Sequence, residues 1–128
     1  MSKIYKILTD REWKDANRLG YVKTDLDDKD GFIHCSTAKQ LALTLHLYFK
    51  EEKSVVLCEI DECDLNRSEY FFEKTLSNDR LEQEFPHIYG KLSIEQISKT
   101  WELEKEAFQI PKDILLELEN ENENDIPF

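Results

Sequence analysis

The hydrophobic and polar positions of the chain divide its first part into a strand and a helix. Residues 3–8 alternate well enough between the two classes to predict a first strand. Residues 9–12 then have the sequence of a capping box, and Trp13 and Ala16 follow on the buried side of a predicted helix. Gly20 is the expected end of that helix.

The next part is predicted to contain a loop, a short strand and a second helix. Residues 21–31 are dense in aspartate and are interpreted as a loop. Residues 32–34 form a short apolar strand that leads directly into a second capping box at residues 37–40. Apolar residues then recur at helical spacing to about Lys50, which predicts a helix that faces the core.

The second half contains one strong strand signal and several weaker ones. Residues 55–60 are apolar and predict a central strand. Residues 69–72 and 100–104 are further predicted strands, whereas the Pro- and Gly-containing residues 85–90 predict a turn, and Pro111 is expected to open a last helix. Because the elements alternate without a βαβ rhythm, we expect an α+β fold with a largely antiparallel or split sheet.

Length and composition predict one globular domain. The 128 residues suit a single domain, and their hydrophobic content of 40% is typical of a folded chain. We expect residues 1–110 to form the α+β domain and residues 111–128 to form a C-terminal helix with an acidic tail. No stretch has the ~20 apolar residues that cross a bilayer, and the N-terminus is unlike a signal peptide, which predicts a cytoplasmic protein without membrane contact.

The charge and the cysteines narrow the expected partners. With 28 acidic and 17 basic residues the net charge is −11, so we expect no duplex nucleic acid as a partner. This net charge is still compatible with a small anionic ligand, because a few hydrogen-bond donors or a helix N-terminus can bind it. Three cysteines do not predict a disulfide framework, and Cys58 is interpreted as a buried structural thiol.

A first candidate site lies in residues 30–37, Asp-Gly-Phe-Ile-His-Cys-Ser-Thr. This motif places the imidazole of His34 at the end of a strand, and the hydroxyls of Ser36 and Thr37 at the start of a helix. The free N–H groups of a first helical turn favour negative charge or a carbonyl oxygen. The structural alternative is that the hydroxyls only cap the helix and that His34 satisfies a neighbouring carbonyl.

A second candidate site lies in residues 84–90. There a carboxylate, an imidazole and a phenol (Glu84, His87 and Tyr89) stand within seven residues beside the predicted turn. Such a concentration is unusual for a mere connection. The alternative is a tight turn whose Phe85 and Ile88 pack into the core.

Taken together, the motifs resemble the Domain of Unknown Function 952 family. The chain carries, in the order of that family, Ile-Tyr-Lys-Ile at 4–7, Glu-Trp at 12–13, the aspartates Asp27 and Asp30, the run 31–38, Phe-Glu at 72–73 and the run 85–90. Two segments depart from the family pattern. Residues 74–81 lack the glycines of an Arg-Gly-Gly-type segment, where Arg80 could stand for its arginine, and residues 23–24 are Lys-Thr instead of Gly-Ser.

The resemblance implies a fold and a ligand. The family is similar to the ADP-ribosyltransferase-like superfamily, which has a split antiparallel sheet, flanking helices and a cleft for a nicotinamide nucleotide. His34, Cys35 and Ser36 are similar to its His-Gly-Thr-like motif, in which the histidine contacts a ribose hydroxyl. NAD would then be a substrate and not a resident cofactor. Glu73 and Glu84 are the candidates for the catalytic carboxylate, and the alternative is that His87 occupies that region instead.

Candidate residues follow from the motifs and the resemblance. The candidate catalytic residues are His34, Glu73 and His87, and the candidate ligand-binding residues are Lys6, Asp27, Asp30, Ser36, Thr37 and Tyr89.

Metal and thiol chemistry are weaker alternatives. A calcium loop within the aspartates would lack ligands at its first and last positions. A zinc site built from His34, Cys35 and His87 would lack a closely spaced ligand pair, so we expect no metal. Cys35 could also be a nucleophile with either histidine as its base.

Two functions therefore stay open. The first is binding of a nicotinamide nucleotide or an ADP-ribose-type ligand in a cleft, with or without ADP-ribosyl transfer or NAD cleavage. The second is a non-catalytic module that binds another small molecule or a protein partner through the same pocket. The sequence does not identify such a protein partner.

Overall fold

The computed structural model describes residues 2–74, residues 83–104 and Ile114. These residues form six strands, three α-helices and three short 3-10 helices. In chain order they are β1 (Lys3–Thr9), α1 (Asp10–Leu19), α2 (Asp25–Asp30), β2 (Ile33–His34), a 3-10 helix (Ala38–Gln40), α3 (Leu41–Tyr48), β3 (Ser54–Asp61), a 3-10 helix (Glu62–Asp64), β4 (Tyr70–Lys74), β5 (Glu84–Ile88), a 3-10 helix (Ile94–Gln96) and β6 (Ile97–Glu104).

Capping groups determine both ends of α1. The Thr9 hydroxyl accepts a hydrogen bond from the Glu12 N–H at 3.1 Å, and the Thr9 N–H donates to the Glu12 carboxylate at 2.9 Å. At the other end Gly20 adopts a left-handed conformation, and its N–H donates to the Ala16 carbonyl at 2.7 Å. The predicted capping box and the predicted end of this helix are thus confirmed.

The aspartate-rich segment is a short helix, so the prediction of a loop over residues 21–31 is wrong for α2. The Thr24 hydroxyl caps this helix by accepting from the Asp27 N–H at 3.1 Å. Gly31, at a φ of 83°, ends it. One and a half turns are too short to show an apolar period, and the caps at Thr24 and Gly31 were the only sequence signals for it.

The strands form two antiparallel sheets of three strands each. The first sheet has the order β1-β3-β6, and the second has the order β2-β5-β4. The expected α+β class with antiparallel sheets is confirmed. The predicted strands at 3–8, 55–60, 69–72 and 100–104 are all present, with small shifts at their ends.

A pair of backbone hydrogen bonds joins the two sheets. The N–H of Tyr5 donates to the Ser36 carbonyl, and the N–H of Ser36 donates to the Tyr5 carbonyl, both at 2.8 Å. These bonds hold the segment that follows β2 against β1. The motif around His34 is therefore fixed to β1, an edge strand of the first sheet.

Both faces of the first sheet are buried. Because side chains alternate along a strand, β1 and β3 supply two different apolar clusters. The cluster on one face includes Ile4, Leu8, Val56, Cys58 and Ile60, together with Ala16 of α1. The cluster on the other face includes Tyr5, Ile7, Val55 and Leu57, together with Leu41 and Leu45 of α3. Cys58 is fully buried, as predicted.

Residues 84–88 form a strand, so the prediction of a turn over residues 85–90 is wrong for β5. Its middle residue, Pro86, pairs in register with Phe72. On its other side the Pro86 carbonyl accepts a hydrogen bond from the Cys35 N–H at 3.0 Å. Proline lacks the N–H of a strand residue, which hid this strand from a reading of the sequence.

The predicted C-terminal helix and acidic tail lie outside the described residues, apart from Ile114. Ile114 is helical and fully buried, and it belongs to the cluster with Tyr5 and Leu57. Among the helices of the described residues, none has the length and apolar character that a membrane span requires.

The conformation of Gly31 leads to a first prediction. Replacing Gly31 by Ala should lower the free energy of unfolding by about 1 kcal/mol, because a residue with a Cβ is strained at this positive φ. An added Cβ would meet no atom within 4 Å, so the loss should come from the backbone alone. Gly31→Asn should cost less, since Asn tolerates the left-handed region better. Urea unfolding measures both variants, and an unchanged Gly31→Ala would contradict the assigned cap.

Candidate functional site

The two histidine motifs meet where β2 pairs with β5. His34 and His87 are register partners on these neighbouring strands. Their ring centroids lie 5.6 Å apart in an edge-to-face arrangement. Two motifs that are more than fifty residues apart in the sequence therefore form one site.

A buried ion pair between Lys6 and Asp27 lies next to His34. The ammonium group of Lys6 lies 2.8 Å from one carboxylate oxygen of Asp27 and 3.1 Å from the other. Both residues are only 5% exposed. Lys6 also donates to the His34 carbonyl at 2.8 Å, so it connects β1 to α2 and β2. The charge is compensated inside the core, as a buried ion requires.

Asp27 also holds the His34 side chain and backbone. Its Oδ1 atom lies 2.7 Å from His34 Nδ1 and accepts a hydrogen bond from the His34 N–H at 3.1 Å. Burial acts to raise the pKa of this carboxyl group, but the hydrogen bonds from His34 and the charge of Lys6 outweigh it. The pKa of Asp27 therefore falls to about 2, and the carboxylate is ionised at neutral pH.

The second nitrogen of His34 faces another carboxylate. Nε2 lies 2.9 Å from Oδ2 of Asp30, near the C-terminal end of α2. A neutral imidazole donates from one ring nitrogen, and only the imidazolium form donates from both at once. His34 thus bridges two aspartates, and its side chain keeps 20% exposure at the surface of the site. The structural alternative, in which His34 only donates a hydrogen bond to a neighbouring carbonyl, is therefore wrong for this side chain.

His87 belongs to a separate carboxylate network. Its Nδ1 lies 2.9 Å from Oε1 of Glu73, and the Tyr89 hydroxyl donates to the same oxygen at 2.6 Å. The hydrogen bonds from Tyr89 and then from His87 lower the pKa of Glu73. The hydrogen bond from Tyr89 to Glu73 also raises the pKa of the Tyr89 hydroxyl.

The His87 ring is almost completely buried. Only 1% of the residue is exposed, and its Nε2 has no hydrogen-bond partner within the described part of the chain. Burial lowers the pKa of His87, and the hydrogen bond to Glu73 opposes this effect in part. The ring is therefore neutral at pH 7.

Phe32 joins the two networks. Its ring stacks on His87 with a centroid distance of 4.0 Å, and it lies 4.5 Å from His34 and 5.4 Å from Tyr89. Phe32 is absent from the sequence-based candidates, although it stands two residues before His34. The apolar character of the short strand concealed this role.

Two cavities lie beside the histidine cluster. The smaller one, of about 70 Å³, is bordered by both histidines and by mainly aromatic and apolar groups, including Tyr5, Tyr48, Phe49 and Phe85. The larger one, of about 300 Å³, is more polar and more open. It is bordered by Phe32, Tyr89, Asp27 and Tyr21, and by the lysines Lys23 and Lys91.

The remaining candidates occupy different positions around the cluster. Ser36 is buried on the wall of the smaller cavity, and its hydroxyl lies 2.8 Å from that of Thr44. Thr37 precedes the 3-10 helix as its N-cap and borders neither cavity. Glu84 is exposed at the start of β5 and belongs to neither histidine network, unlike Glu73.

The environment of Cys35 does not favour nucleophilic thiol chemistry. Burial raises the pKa of Cys35 to about 12, so its thiol stays protonated and is a poor nucleophile. Within residues 2–74 and 83–104, no group of three or more His, Cys, Asp or Glu side chains is arranged to hold a metal ion.

Fold and site together define a class: an α+β protein with two small antiparallel sheets and a pair of histidines, each held by a carboxylate, beside a mainly apolar cavity. A family model with the description "Protein of unknown function (DUF952)" matches residues 7–100. The chain belongs to this family, as the resemblance of its motifs predicts.

Solved structures of one relative share the fold. The crystal structure of protein CC0527 from Caulobacter crescentus has a TM-score of 0.72 and 28% identity, and the match covers 80% of this chain and 87% of that one. The solution NMR structure of CC0527 has a TM-score of 0.68 and 27% identity over 88% of this chain and 90% of that one. A search of curated proteins gave no significant match.

The low pKa of Asp27 leads to a second prediction. A pKa lowered from 3.8 to about 2 contributes about 2 kcal/mol of stability above pH 4, and this contribution should be lost as the pH falls towards 2. Asp27→Asn should lower the free energy of unfolding at pH 7 by about 3–5 kcal/mol, because it leaves Lys6 buried without its counter-ion.

Chemical denaturation at pH 7 and at pH 3 measures this effect. The difference between wild type and Asp27→Asn should shrink at the lower pH. The control is Asp25→Asn, an exposed aspartate of the same helix, which should change stability by less than about 0.5 kcal/mol. If Asp27→Asn and Asp25→Asn were equally stable at pH 7, the Lys6–Asp27 pair would not be what stabilises the site.

Proposed function

We propose that this protein binds a nicotinamide nucleotide or an ADP-ribose-type ligand against the His34–His87 cluster. The observation that carries the proposal is that two histidines with different carboxylate partners stand 5.6 Å apart at the wall of an apolar cavity. Polar groups that converge on an otherwise apolar pocket are typical of a small-molecule site. The resemblance of His34-Cys35-Ser36 to the His-Gly-Thr-like motif favours a nucleotide of this type.

The sizes of the two cavities suggest how the ligand lies. Pockets for drug-sized ligands have volumes of roughly 300–1,000 Å³, so the smaller cavity takes only a ring-sized part of the ligand. Its aromatic walls suit the nicotinamide ring. The larger cavity suits the ribose and phosphate groups, because Lys91 stands on its border with its ammonium group 4.5 Å from the centre of the Tyr21 ring. Lys23 also borders this cavity and pairs there with Asp28.

The split sheet is compatible with the ADP-ribosyltransferase-like fold. The bridge between Tyr5 and Ser36 joins β1 of the first sheet to the segment that follows His34 and β2 of the second sheet. A nucleotide cleft of that fold would lie near this junction. Likeness of fold does not by itself give a reaction, so the proposal rests on the site.

If the bound nucleotide is cleaved, Glu73 is the carboxylate that would assist. Its pKa is lowered by the Tyr89 and His87 hydrogen bonds, so it is negatively charged and can stabilise an oxocarbenium-like centre on the ribose. Glu84 lacks these partners. His87, which Glu73 orients through Nδ1, would then serve as the acid or base.

A non-catalytic binding module is the second candidate function. One observation favours it: the Oε1 oxygen of Glu73 already accepts hydrogen bonds from both His87 and Tyr89. A carboxylate with two protein donors on one oxygen has less capacity left for a substrate. In that case the same pocket would hold its ligand without turnover.

Ligand binding leads to a third prediction, which is the main test of the proposal. In a thermal-shift titration, NAD, ADP-ribose or nicotinamide at a hundred times its dissociation constant should stabilise the wild type by about 2.7 kcal/mol, equivalent to several degrees. His34→Ala should abolish this shift. His46→Ala is the matched control, since His46 is exposed on α3 and borders neither cavity, and it should retain the shift. Absence of a shift with all three ligands would refute the proposed ligand class.

Catalysis leads to a fourth prediction. If NAD is cleaved, Glu73→Gln should lower the rate of nicotinamide release by about 100-fold or more, because it removes the negative charge at the reacting centre. Glu84→Gln should leave that rate within about twofold of the wild type. Chromatographic detection of nicotinamide released from NAD measures both. If the wild type binds NAD but releases no nicotinamide, the binding module is the function.

A further inference from the structure

We propose that His87 accepts a hydrogen bond from an uncharged donor of the ligand, so that the smaller cavity selects a ring carboxamide and rejects the corresponding ring carboxylate. This inference rests on the proposed function and specifies which nicotinamide-type ligand the site accepts. Its basis is the direction of the hydrogen bonds around the His87 ring.

Glu73 determines which nitrogen of His87 carries the proton. An ionised carboxylate only accepts hydrogen bonds, and Glu73 Oε1 lies 2.9 Å from His87 Nδ1. The Tyr89 hydroxyl donates to the same oxygen, which keeps Glu73 in the accepting form. His87 Nδ1 therefore carries the hydrogen, and the lone pair of a neutral ring lies on Nε2.

The Nε2 atom is buried and still has its hydrogen-bonding capacity. It lies in a residue that is 1% exposed, and no group of the described chain donates to it. The ring itself is held by Phe32 on its face and by Glu73 on its edge, so it cannot easily turn to find another partner. A buried acceptor without a donor is unfavourable, and a ligand N–H or O–H would remove this cost.

The charges around His87 disfavour a negatively charged ligand at this point. Glu73 reaches the ring from β4 and Asp27 approaches from α2, while His34 lies beside it on β2. Because burial lowers the pKa of His87, the ring does not supply a compensating positive charge at pH 7. A carboxylate placed at Nε2 would meet a lone pair, and the Lys6 ammonium group that borders the cavity is already paired with Asp27.

The cavity walls favour a carboxamide over a simple hydroxyl. His87 shares the cavity with Tyr5, Tyr48, Phe49 and Phe85, which offer flat apolar surfaces to a ring. A pyridine-3-carboxamide combines such a ring with an N–H donor at its edge. Nicotinamide and nicotinate differ only in the carboxamide and carboxylate, so they form a matched pair of probes.

Isothermal titration calorimetry with nicotinamide and nicotinate at pH 8 tests the inference and is the fifth prediction. Nicotinamide should bind about tenfold tighter or more, since a site built to accept a hydrogen bond discriminates strongly against a group that cannot donate. His87→Phe keeps the ring that stacks on Phe32 and removes the acceptor, so it should bring the two affinities close together. His46→Phe, the exposed control, should keep the wild-type ratio.

Two measurements on the wild type do not depend on a folded His87 variant. As the pH is lowered from 8 until His87 becomes protonated, nicotinate binding should strengthen, because the protonated ring donates from Nε2, whereas nicotinamide binding should weaken. The ring-nitrogen NMR spectrum of His87 at pH 8 should be that of the Nδ1–H tautomer. An Nε2–H tautomer would overturn the inference.

The outcomes separate the inference from the proposed function. Equal binding of nicotinamide and nicotinate, or tighter binding of nicotinate, overturns the carboxamide preference and leaves the ligand class standing. Binding of ADP-ribose without nicotinamide also overturns it and favours a ribose hydroxyl at the site. If nicotinamide, NAD and ADP-ribose all fail to bind, both the inference and the proposed function fall.

Discussion

The ion pair between Lys6 and Asp27 is the constraint on which the site depends. Lys6 stands on the core-facing side of β1, between Ile4 and Leu8, where a charge without a partner would destabilise the fold. Its ammonium group is compensated by Asp27 and by the His34 carbonyl. This compensation requires α2 and β2 to lie against β1 at the position of Lys6. The pair thus ties α2 and β2 to β1 through one buried side chain.

The same arrangement gives the two histidines different chemical character. His34 lies between two aspartates and keeps an exposed edge, whereas His87 is buried, neutral and oriented by Glu73. Phe32 packs against both rings. Environments that differ in this way allow neighbouring groups of one type to perform different tasks, such as donating to and accepting from one ligand.

Much of the fold follows from local rules that operate on the sequence. The capping box at Thr9, the glycine end at Gly20 and the apolar run of β3 are local signals, and each is present as predicted. α2 and β5 were missed because α2 is too short to show an apolar period and β5 contains Pro86, which argues against a strand. The contact of Glu73 with His87 likewise arises only when β4 pairs with β5. The residues of the site were identifiable from motifs, but their partners depend on strand pairing.

The position of Pro86 has a consequence for how reliably the two histidines become neighbours. β2 is only two residues long, and a shift of one residue along β5 would send His34 and His87 to opposite faces of the sheet. Pro86 accepts from the Cys35 N–H but has no hydrogen to give, so any shifted pairing that asks residue 86 to donate loses a bond. The missing N–H of Pro86 thus disfavours shifted alignments of β2 and β5. It thereby favours the alignment in which His34 and His87 are neighbours.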